Sequence, residues 1–188
     1  MKQPDSKLKW VNSLGGPLLL IPGRLLNHWE GSDPPTGGRI IEAKFRVDPS
    51  GPATDYDRAC DVKGYLGLID VGPGVGLVLG DEPAQTAWWP FASERGGILV
   101  RWIFADDEQS VIQHLKNLPL TRFPMPILSM TVPEGPLILF DSAFPGHRID
   151  QGYSAEINLL PQLYGVATLV YCEADRISLI LHKLESKI

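Results

Sequence analysis

Apolar residues in this chain come in short runs, broken repeatedly by glycine, proline and acidic residues. Leu18 to Ile21, held between Pro17 and Pro22, reads as a short buried strand. From Arg39 to Val47 the pattern alternates, with Ile41, Ala43, Phe45 and Val47 on one side and Glu42, Lys44 and Arg46 on the other. That period of two predicts a half-buried antiparallel strand. Residues 65–71 and 76–80 are rich in Leu, Val and Ile without strict alternation and flank GPGVG, which predicts a hairpin buried on both faces. Residues 98–104 place Ile98, Val100, Trp102 and Phe104 on one face of a further strand. Strands are also expected at 127–132, 136–141, 154–160, 164–172 and 176–184, with Glu173-Ala174-Asp175 turning between the last two.

The helical period is clearest over 106–118. Val111, Ile112, Leu115 and Leu118 make one apolar stripe, Asp106 is placed to cap the start, and Asp107 and Glu108 suit the positive end of the dipole. Pro119 ends the segment. Residues 23–30 predict a brief helix with Leu25, Leu26 and Trp29 on one side, ending at Gly31. Residues 1–16 read as a mobile tail leading to Trp10, and residues 84–97 as a loop carrying Trp88-Trp89-Pro90. The fold class expected is therefore mainly β (α+β): antiparallel sheets in a sandwich-like arrangement, with one helix near 106–118, in a single compact domain over 1–188. A faint repeat relates 76–90 to 135–149 and 97–106 to 166–175, as two β-rich halves at about 10–118 and 127–188 would produce.

Composition sharpens this picture. The 19 glycines and 17 prolines imply many turns between short elements, which favours β structure over a helical bundle. At 188 residues, 44% hydrophobic and 21% charged, the chain can bury a substantial core. A net charge of -5 and a pI near 5.3 argue against general nucleic-acid binding, which needs cationic phosphate contacts. Cys60 and Cys172 are far apart and outside any C-x-x-C pair, which points to a reducing, cytoplasmic setting without a disulfide scaffold or zinc site. The longest N-terminal apolar run is too short for a signal core or a membrane span.

Candidate chemistry concentrates in DYDRACDVKGYLGLIDVGPGVGLVLGDEP, residues 55–83. Asp55, Asp57 and Asp61 crowd around Arg58, with Asp70, Asp81 and Glu82 in the same stretch. A metal site or an acid/base pair would need a completing His, Cys or nucleophile, and no EF-hand loop is present. The preferred reading is structural, with Arg58 pairing a carboxylate to fix a loop. His28, His114, His147 and His182 lack metal-ligand spacing. Ser142 and Ser154 lie outside any nucleophile elbow, and GPGVG lacks the context of a phosphate-binding loop. No catalytic residue, cofactor or metal is expected. Trp88 and Trp89 could form an aromatic contact surface or fold back over the core, and adjacent residues of an extended segment point opposite ways.

Seven motifs, taken in order, resemble the immunity protein 21 family of bacteria: W-x-x-S-x-G-G-P-L-L-L-x-P (Trp10 to Pro22), W-x-G (Trp29 to Gly31), DYDRAC (55–60), GLIDVG (67–72), LVLGDEP (77–83), LVRWIFADDE (99–108) and GPLILFDSAFPG (135–146). The stretches 84–97 and 119–126 are longer than that pattern. The resemblance implies a cytoplasmic protein that neutralises a polymorphic toxin by stoichiometric binding, without turnover. It also implies that Asp55, Asp57, Arg58, Arg101 and Asp141 define the fold. Charge and exposure suggest Asp81, Glu82, Trp88, Trp89, Asp106, Asp107 and Glu108 as partner-binding residues. An acidic surface suits a basic, nuclease-type toxin, with neither nucleic acid nor membrane as partner and a monomer as the expected state. Two rival readings are an enzyme using the Asp55–Asp61 cluster with Arg58 or Arg101, and a small-ligand or carbohydrate-binding β module using the Trp88-Trp89 loop.

Overall fold

A computed structural model describes residues 7–33, 53–92, 95–173 and 176–187. The strand expected at 39–47 and the turn residues Ala174 and Asp175 lie outside the described residues.

Eleven strands form two antiparallel sheets among the described residues. They are β1 (Trp10–Val11), β2 (Leu18–Pro22), β3 (Gly67–Val71), β4 (Gly74–Leu79), β5 (Thr86–Pro90), β6 (Gly96–Ala105), β7 (Leu128–Val132), β8 (Leu137–Asp141), β9 (Ser154–Ile157), β10 (Gln162–Glu173) and β11 (Ile177–Ser186). The larger sheet has the order β1-β5-β6-β11-β10-β7 and the smaller one β3-β4-β2-β8-β9. Each sheet takes strands from both ends of the chain. Of the similar stretches, β4 and β8 flank β2, while β6 and β10 flank β11.

Alternation within each strand divides the apolar residues among three clusters. Leu18, Leu20, Leu77, Leu79 and Leu139 of the smaller sheet meet Leu99, Met130, Tyr164, Val166 and Leu184 of the larger, which makes a β-sandwich. The outer face of the larger sheet, with Val100, Leu179 and Leu181, is covered by α2 (Glu108–Asn117) through Val111, Ile112 and Leu115. The outer face of the smaller sheet, with Leu19, Ile21, Val78 and Phe140, is covered by Leu25 of the 3₁₀ segment Gly23–His28, by Trp29 just after it, and by Ala59 of α1 (Asp55–Cys60). Fully burying a large apolar side chain contributes about 1.5–3 kcal/mol. The layering is therefore set by which face of each strand is apolar.

Several local expectations change. Within the expected mobile tail, Trp10 and Val11 pair with Ala87 and Thr86 as β1, while residues 1–6 lie outside the described residues. The expected 84–97 loop contains β5, which is ladder-bonded to β6 along its length. DYDRAC is a helical turn and not a loop, since Thr54 and Asp57 form a reciprocal capping box that satisfies its first donors. The cap of α2 is Asp107, whose side chain accepts from Ser110 N at 2.7 Å, and not Asp106. β3 is an edge strand with Leu68 and Asp70 turned to solvent, so only β4 of that hairpin is buried on both faces. Its turn is the pair Gly72-Pro73, and Gly72 at φ +52° supplies the positive dihedral that a tight hairpin demands.

Candidate functional site

The acidic turn after β4 is fixed from below by a buried cation. Arg101 lies on the inner face of β6 and is 1% exposed. Its Nη2 donates to the carbonyl of Gly80 at 2.6 Å and also to the carbonyls of Asp81 and Glu82. Nε and Nη1 have no protein partner, and burial pulls the guanidinium down to about 10, so it stays charged at neutral pH. The turn therefore has its backbone held inward while the Asp81 and Glu82 side chains remain exposed. One cross-strand row deeper, His182 is fully buried with Nδ1 3.0 Å from Thr168 Oγ1, while Nε2 has no partner. Burial, and then the charge of Arg101, push His182 well below its ordinary value, so it is a neutral core residue.

Asp55 and Asp57 of the 55–83 stretch are committed locally. Asp55 pairs with Arg58 at 2.6 Å and accepts from Glu30 N, while Asp57 caps α1. Arg58 Nη2 also donates to the carbonyl of Asp70 at 2.7 Å, so it ties α1 to β3. Asp141 is 2% exposed and accepts from Leu14 N at 2.6 Å and Ala143 N at 2.9 Å, which joins the 12–17 segment to the end of β8. Among the described residues, no group of three His, Cys, Asp or Glu side chains could hold a metal.

Beside the acidic turn, a cleft of about 140 Å³ is lined by Gly16, Tyr56, Cys60, Gly80 and Asp81. Burial pushes Tyr56 up to about 12. Burial also raises the Cys60 thiol, with nearby Asp57 and Asp61 acting the same way, so the sulfur keeps its proton and is a poor nucleophile. A larger groove of about 520 Å³ lies at the opposite end of β6, with Trp89, Phe91, Arg95, Leu115 and Leu118 in its walls.

The suggested partner-binding residues fall into three places. Asp81 and Glu82 share the turn, and Asp106, Asp107 and Glu108 follow the outer end of β6. Glu108 is spent on the N-terminal segment, accepting from Trp10 Nε1 at 2.6 Å and Leu8 N at 3.3 Å. Asp107 is held below the usual carboxylate range by its bonds to the Ser110 N–H. Trp88 and Trp89 point to opposite faces of β5: Trp88 packs half-buried on the inter-sheet core, and Trp89, 6% exposed, packs against the α2 side. They do not form an exposed aromatic loop. Sequence reasoning missed Phe104 and Val170, which are 48% and 53% exposed on the same end as the acidic turn. Strand period gives a side chain's face but not whether anything covers it.

The model of the immunity protein 21 family matches residues 9–176. The chain belongs to the immunity protein 21 family. No curated protein and no solved structure matches it. Membership implies an immunity protein directed against a toxin. In this immunity protein, no helix of the described residues is long and apolar enough to cross a membrane.

Proposed function

We propose that this protein neutralises a cognate polymorphic toxin in the cytoplasm by forming a stoichiometric complex, without catalysis. The observation that carries this reading is the family match across residues 9–176. The site geometry supports a binding role. The carboxylates that would serve an enzyme, Asp55 and Asp57, are occupied by Arg58 and the cap of α1, whereas Asp81 and Glu82 are held facing outward by Arg101. With a net charge of -5, the protein suits a basic toxin such as a nuclease, whose cationic active site would be steered toward the acidic surface. The carbohydrate-binding alternative has lost its support, because Trp88 and Trp89 lie on opposite faces of a strand.

The test is co-expression with the effector domain of a candidate cognate toxin, together with stopped-flow association at increasing salt. Growth should be rescued, and the on-rate should fall steeply between low and physiological ionic strength. Failure to rescue overturns the function, and an on-rate indifferent to salt overturns the electrostatic part alone.

A further inference from the structure

At one end of the sandwich the larger sheet runs past the cover of the smaller. Paired residues of antiparallel strands share a face, so the ladder defines successive inner-face rows. Leu99, His182 and Thr168 form one row, Arg101, Ile180 and Val170 the next, and Phe104, Ser178 and Cys172 the outermost. Exposure rises sharply along them. Leu99 and His182 are fully buried and Ile180 is 3% exposed, while Val170 and Phe104 stand about half in solvent and Cys172 is exposed. Ile103, displaced at the register shift opposite Ser178 and Leu179, adds a third exposed apolar side chain. A face that elsewhere is the inside of the protein is open here, and open apolar patches of this kind mark interaction sites.

The rim of the patch is acidic. The Asp81-Glu82 turn is bonded to Arg101, one row in from Phe104, and exposed Asp106 follows Phe104 by two residues. Arg101 itself is buried and directed at backbone carbonyls, and Arg176 beyond Glu173 is a cation on this side. An apolar centre inside a charged rim is the anatomy of a protein interface, with the energy at the centre and the orientation at the rim. A second exposed apolar group, Met125, Ile127 and Leu163, sits elsewhere, where Lys187 donates to Ser129. The charges beside it are mixed, with Lys183 and Lys187 near Glu185.

We propose that the open inner face around Phe104 and Val170 is the toxin-docking surface. Its occupant is a basic protein surface that lays an apolar side chain against these two residues and sets lysines or arginines opposite Asp81, Glu82 and Asp106. This assignment rests on the toxin-binding reading above and adds to it the location and chemistry of the contact.

The experiment uses the full chain and the purified effector domain of the toxin against which it protects in co-expression. Phe104→Arg and Val170→Arg, made singly, should each raise the dissociation constant about 30-fold or more and abolish growth protection, with thermal melting unchanged. Phe104→Leu and the distant Ile127→Arg should bind like wild type. Should an arginine variant melt early, the double charge reversal Asp106→Lys with Glu82→Lys takes its place, and it should weaken binding about tenfold at low salt. If the folded arginine or lysine variants bind as tightly as wild type, the docking face is overturned and the toxin-binding reading stands. If wild type itself neither binds nor protects, both fall. A concentration-dependent dimer in sedimentation that Phe104→Arg abolishes would assign the face to a second copy and overturn the toxin assignment.

Discussion

Arg101 donates to the backbone carbonyl of Glu82, and Glu82, at φ +57°, is the non-glycine residue with a positive φ among the described residues. Left-handed backbone costs an ordinary residue about 1–2 kcal/mol. Glu82 also precedes Pro83, a position sterically restricted by the proline ring. A buried guanidinium thus holds an acidic turn in a conformation that its own residues disfavour.

Glu82→Gly should therefore leave the fold intact and raise the unfolding free energy by about 0.5–1 kcal/mol, because glycine enters the left-handed region freely while also loosening the unfolded chain. Urea denaturation measures it. A loss of stability would mean that the Glu82 side chain contributes more than its dihedral costs.

Arg101→Met should remove the donor from three carbonyls at once. The expected loss is about 2–4 kcal/mol, moderated by relief of a charge whose Nε and Nη1 lack protein partners. Hydrogen exchange should speed up at the Gly80 amide, which donates to the Tyr65 carbonyl at the start of the turn. Unchanged protection there would show that the turn holds its shape without the tether.

His182 makes stability depend on pH. Its folded value lies well below 6.5 while an unfolded histidine titrates near 6.5, so above that pH both states are neutral and the full stability is present. As pH falls below about 6.5 the unfolded state takes up the proton first, and stability drops with a slope approaching 1.4 kcal/mol per pH unit until the folded value is reached. His182→Leu should flatten this slope, as read from denaturation midpoints between pH 7 and pH 5.

Asp141→Asn should cost about 1.5–3 kcal/mol. The carboxylate accepts from both Leu14 N and Ala143 N, and an amide can present an oxygen to only one of them. Calorimetric melting gives the measure. A neutral result would mean that the 12–17 segment is held by its backbone alone.

Much of this architecture was legible in the residues, for reasons that differ by element. The C-terminal strands and α2 carry their period openly, and Arg58 beside Asp55 announced a local pair. α1 was missed because its stabilising feature is a capping box in which Asp57, the very residue that suggested chemistry, supplies the reciprocal bond. β5 was missed because Thr86 to Pro90 does not alternate in polarity: both tryptophans are apolar, and β5 faces protein on both sides. Arg101 stood out as a charge inside LVRWIF, yet its partners are carbonyls, which leave no mark in a sequence. The open face around Phe104 was invisible for a similar reason, because its exposure depends on where the other sheet stops.

The order of the larger sheet bears on when protection can begin. β11 lies between β6 and β10, so the central gap of that sheet stays open until residues 177–186 have left the ribosome. Val170 and Phe104 belong to the strands on either side of that gap, so their separation is undefined until β11 arrives. If Phe104 and Val170 form the docking face proposed above, that face is assembled only when β11 joins the sheet.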